Sequence, residues 1–160
     1  MNRFRRGAAV VQRYLVSLYF LGVIVQFFLV GLGLFGMRAG DTIDKAHSLN
    51  AHRDFGWALT EFGGAALLLA TLIAWQKPLS ERVGLYVLLC LLGFPLQPIL
   101  AATGEHHRVV GMFHPVNALL LLGLSGLLAR RAWAATRAHD ATRFVPASPP
   151  STSPAIWAQA

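Results

Sequence analysis

The chain has 160 residues, 55% of them hydrophobic and only 13% charged, with a formal net charge of +7 and a mean hydropathy of +0.52. A soluble domain carries about 25% charged residues, so the composition excludes an ordinary soluble enzyme and points to an integral membrane protein with one membrane domain. The single cysteine, Cys90, excludes an intrachain disulfide and any multi-cysteine metal centre, and its apolar surroundings read as core.

Four segments, 14–37, 55–75, 83–103 and 109–128, reach the ~20 mainly apolar residues needed to cross a bilayer. Backbone groups in lipid must be satisfied internally, so each is expected to be a helix. The short connections predict an all-α, up-down-up-down transmembrane four-helix bundle over 14–131. A basic head, 1–13, precedes it. A polar tail, 132–160, follows with Pro146, Pro149, Pro150 and Pro154 among Ser, Thr and Ala, and reads as disordered and cytoplasmic.

Lys and Arg counts predict the orientation. Ten of them (Arg3, Arg5, Arg6, Arg13, Lys77, Arg82, Arg130, Arg131, Arg137, Arg143) fall on the side of the termini, against four (Arg38, Lys45, Arg53, Arg108) on the other. Both termini are therefore expected in the cytoplasm, across a bacterial inner membrane. The positive charge suits anionic lipid rather than nucleic acid.

Within the first segment Gln26 reads as a helix-to-helix hydrogen bond, and glycines 22, 31, 33 and 36 allow close approach. Ser48 is the expected N-cap of the second helix, which carries His52, Arg53 and Gly56 at its start and Glu61 inside its apolar run. A carboxyl at that depth should be hydrogen-bonded, with Gln26 or Gln97 as the expected partner. The second loop, 76–81, holds Pro78 and Ser80. In the third segment Pro95 and Pro98 flank Gln97 and predict a kink that frees carbonyls, with Gln97 positioned to satisfy them.

The fourth segment carries the most organised pattern. At about 100° per residue, His107, Gly111, His114, Asn117, Ala118, Leu121 and Ser125 lie within roughly 60° of His114 on one face. Polar stripes inside a membrane helix are costly and mark function by default. Helices two and four enter from the same side, so His52, His107 and His114, with His47 and His106, should gather at the outer end. Two facing imidazoles suit an axially ligated haem. Gly56, Gly111 and Ala118 would leave room beside the ligands, and Arg53 and Arg108 would meet propionates. The same nitrogens could bind zinc or copper, although carboxylates and thiols nearby are few. They could equally be interfacial residues bonding across helices. Depth complicates the pairing. His52 precedes its apolar run by about three residues and His114 lies about five into its own, an offset of roughly 12 Å at 1.5 Å per residue. His107 matches His52 better on that count.

His52-Arg53 with Gly56 resembles the His-Arg-x-x-Gly element of haem-binding four-helix membrane bundles, including one half of haem A synthase and, more loosely, cytochrome b561-like proteins. Phe113-His114-Pro115-Val116-Asn117-Ala118-Leu119-Leu120 is similar to the fourth helix of small four-span bacterial membrane proteins. The resemblance covers about residues 49–131, its specific part being these two motifs, and it implies His52 and His114 as axial ligands of haem b. The chain departs from haem A synthase in having four spans rather than eight and Leu49 where that family has a glutamate, so haem hydroxylation is not expected. It departs from the b561-like pattern in lacking helical histidines on the inner side. Three functions follow as expectations: a b-type haem protein in electron transfer or haem handling, with a redox partner; a non-enzymatic accessory subunit of a membrane complex; and a quinone or lipid site near Gln97 and Glu61.

Overall fold

The computed structural model describes residues 3–42, 46–74 and 81–143. The second loop with Lys77, Pro78 and Ser80, and the proline-rich tail from residue 144, lie outside the described residues. The described residues fold into helices without strands. Helix α1 spans Arg3–Phe35. A 3-10 turn, His47–Leu49, leads into α2, Asn50–Ala58, which passes through a π-turn at Leu59–Gly63 into α3, Gly64–Ala74. Helix α4, Glu81–Leu91, likewise passes through a π-turn, Leu92–Leu96, into α5, Gln97–Gly104. A short α6, Arg108–Gly111, precedes the long α7, Phe113–Arg143.

These pieces make four rods, and four stretches are long and apolar enough to cross a membrane: Gly7–Phe35, His47–Ala74, Val83–Gly104 and Arg108–Ala135. They contain the expected segments with shifted ends. Helix α1 begins inside the basic head. Helix α7 continues twelve residues past Arg131, because Ala132, Ala134, Ala135 and Ala138 with Arg137 are strong helix formers. The disordered reading therefore does not hold for 132–143.

Neighbouring rods run antiparallel. Gln12 Nε2 donates to Thr71 Oγ1 at 2.9 Å and Gln26 Nε2 to the His52 carbonyl at 3.1 Å, tying α1 to the second rod at two levels. Trp133 Nε1 donates to Ser17 Oγ at 3.0 Å, and Phe20 packs on Gly126, aligning α7 with α1. The core fills the half of the bundle near the chain termini, where Val16, Tyr19, Val23, Leu67, Tyr86, Leu89, Leu121 and Leu128 cluster. Outside, large apolar side chains face away from the protein, among them Phe28, Leu32, Phe35 and Phe62, as a lipid-facing surface would require.

Two irregularities shape the other half. Pro95 removes a backbone donor, and the third rod kinks at Phe94 (φ −105°, ψ 67°). In the fourth rod Pro115 cannot donate to Gly111, and the helix breaks at Met112 between α6 and α7. The hairpin between the third and fourth rods closes on glycine backbone, since a Cβ on Gly104 would lie 2.6 Å from Gly111 Cα. Gly104→Val should therefore destabilise the bundle by about 1–3 kcal/mol, whereas Gly123→Ala, with nothing within 4 Å of its new Cβ, should leave it unchanged or slightly more stable. Thermal unfolding of both variants in detergent, followed by circular dichroism, checks the contrast.

Candidate functional site

The start of α2 and the start of α7 come together opposite the kink in the third rod. His52 is the third residue of α2 and His114 the second of α7, so the two imidazoles reach the same level. Their ring centroids are 6.4 Å apart with the planes at 82°. The offset computed from the apolar runs vanishes because those runs do not start where the helices start. Helix α2 begins five residues before Phe55, and the break at Met112 resets the fourth rod just before His114.

His114 is held from three directions by one residue. Its Nδ1 lies 3.2 Å from the Gln97 carbonyl, and Gln97 Nε2 lies 3.3 Å from both His114 Nε2 and the His114 carbonyl. A carbonyl only accepts, so Nδ1 carries the proton and Nε2 presents the lone pair. The orientation of the Gln97 amide is set in turn by Asn117, whose Nδ2 donates to Gln97 Oε1 at 2.7 Å and to the Leu92 carbonyl at 2.8 Å. Asn117, rather than Gln97, satisfies a carbonyl of the kinked turn.

His52 is held less completely. Its carbonyl accepts from Gln26, while its Nδ1 is buried without a hydrogen-bond partner. Gly56 lies against the Gln26 side chain, and Gly111 against Gly104. Both glycines thus serve close packing between rods instead of lining open space beside an imidazole.

The other sequence candidates fall outside this pair. His47, His106 and His107 are exposed, and Arg108 is exposed at the start of α6. Arg53 Nη1 donates to the Ala46 carbonyl at 3.2 Å and to Asn50 Oδ1 at 3.1 Å, tying down the entry to α2. Ser48 does not cap α2, and its Oγ is buried without a partner. Glu61 is exposed and bonds neither Gln26 nor Gln97, both of which are engaged elsewhere. From His114 onward the polar stripe does face inward: Asn117, Leu121 and Ser125 are buried. Sequence reasoning placed Gln97 at the right depth but missed its grip on His114. The signal was there in the two prolines that flank it.

No group of three or more His, Cys, Asp or Glu among the described residues is arranged to hold a metal ion. The arrangement is a two-imidazole pair. No family model matches the chain, nor does any curated protein or solved structure.

Asn117→Ala leaves the Leu92 carbonyl and Gln97 Oε1 without their donor and should cost about 1–3 kcal/mol. Ser125→Ala, which removes a bond to the carbonyl one turn back in the same helix, should cost less than half as much. Equilibrium unfolding of both variants in mixed micelles measures the difference.

Proposed function

We propose that this chain is a b-type haem protein of the bacterial cytoplasmic membrane, with one haem held between His52 and His114 in the outer half of an up-down-up-down transmembrane bundle whose termini are cytoplasmic. The observation that carries the reading is the apposition of the two imidazoles at 6.4 Å, with His114 Nδ1 turned onto the Gln97 carbonyl.

The donor set favours haem over a bare ion. Zinc asks for three or four protein ligands, whereas a haem would need only His52 and His114 from the protein. The His114 arrangement is what an axial ligand needs, because a proton donated from Nδ1 to a carbonyl fixes the tautomer and raises the basicity of Nε2. Gln97 would surrender its Nε2 contact and keep the other two. His52, with an unpartnered Nδ1, has the freedom to turn its ring toward a ligand. A bound haem would supply one-electron redox chemistry, and the chain's role would be electron transfer or haem handling with a redox partner in the membrane.

Protein purified in detergent and supplied with haemin should show a split b-type band in reduced-minus-oxidised spectra. His52→Ala and His114→Ala should each lose or strongly shift it, while His107→Ala should retain it. No band in the reconstituted wild-type protein would end this reading.

A further inference from the structure

A second site lies on the other side of the third rod. A groove of about 410 Å³ opens between the second and third rods, with Glu61, Ala65 and Leu68 on one wall and Val87, Leu91 and Phe94 on the other. Both walls are locally unwound: Glu61 lies in the π-turn Leu59–Gly63, and Phe94 in the π-turn Leu92–Leu96. Single π-turns inside α-helices concentrate at functional sites. The Glu61 carboxylate has no hydrogen-bond or ion-pair partner among the described residues, and Gln26 and Gln97, the partners expected for it, are committed elsewhere. A carboxyl kept in an apolar span without a protein partner calls for a partner from outside.

We propose that this groove binds the ring of an isoprenoid quinol or quinone, with Glu61 hydrogen-bonded to its hydroxyl or carbonyl. Three observations select this occupant. The groove is lined mainly by apolar groups, so the ligand arrives from lipid. One carboxyl is the polar group among the residues lining it, so the ligand has a hydrogen-bonding head, which an acyl chain lacks. The volume lies at the small end of the range for ligand pockets, enough for a substituted six-membered ring with the start of its tail. The inference does not rest on the haem reading, since it uses neither His52 nor His114.

The test uses the full chain in phosphatidylcholine nanodiscs titrated with decylubiquinone, measuring quinone retained above that of protein-free discs. Saturable binding of about one quinone per chain is expected. Glu61→Leu should weaken it about tenfold, the equivalent of one hydrogen bond. Ala65→Phe, which fills the groove, should abolish it, and His107→Ala, at an exposed position outside the histidine pair, should bind as the wild type does. Melting curves confirm that each variant is folded. Retention no greater than in empty discs would overturn the proposal, as would unchanged affinity in folded Glu61→Leu and Ala65→Phe, or a dimer that seals this face and takes up no quinone.

Discussion

A proline inside an apolar helix disturbs the backbone around it, and much of this bundle's organisation follows from that disturbance in the third rod. Pro95 removes a donor and the backbone leaves helical geometry at Phe94. The Leu92 carbonyl is taken up by Asn117 Nδ2 from the fourth rod at 2.8 Å. The same Nδ2 fixes the amide of Gln97, and Gln97 fixes His114. The chain of dependence runs from a proline to an imidazole through two side-chain amides. Each link is a polar contact made at a buried or half-buried position, although Asn117 Oδ1 itself is buried without a partner.

The two histidines are therefore not equivalent. His114 has a determined tautomer and three contacts with Gln97, whereas His52 is anchored at its carbonyl and leaves Nδ1 unpartnered. The apolar core at the opposite end, around Leu67, Leu89 and Leu128, carries the packing and so frees the histidine end to be irregular.

The four rods were legible in the sequence because hydropathy and length act over twenty residues and average out local detail. The inward face of the fourth rod was legible too, since angular position from His114 to Ser125 survives inside an unbroken helix. What failed were inferences that needed the position of helix breaks. Depth counted from apolar runs set His52 and His114 roughly 12 Å apart, because hydropathy does not register that α2 starts at Asn50 or that the fourth rod is interrupted at Met112. The π-turn at Leu59–Gly63 is equally silent in composition, and the partner expected for Glu61 was misjudged. Polarity alone pairs a buried carboxyl with the nearest amides, while the geometry had already committed those amides to the His52 and His114 layer.

Gln97 and Glu61 read in sequence as one neighbourhood, but Glu61 belongs to the second rod and Gln97 to the kinked third. Phe94 and Pro95 belong to the groove with Glu61, and Gln97, two residues later, belongs to His114. Phe94 is also the residue with non-helical backbone. A ligand pressing on Phe94 would act on the element whose Leu92 carbonyl holds Asn117, and through it on the support of His114. Coupling between sites needs an element whose state both sites bias, and the π-turn at Leu92–Leu96 is in contact with both.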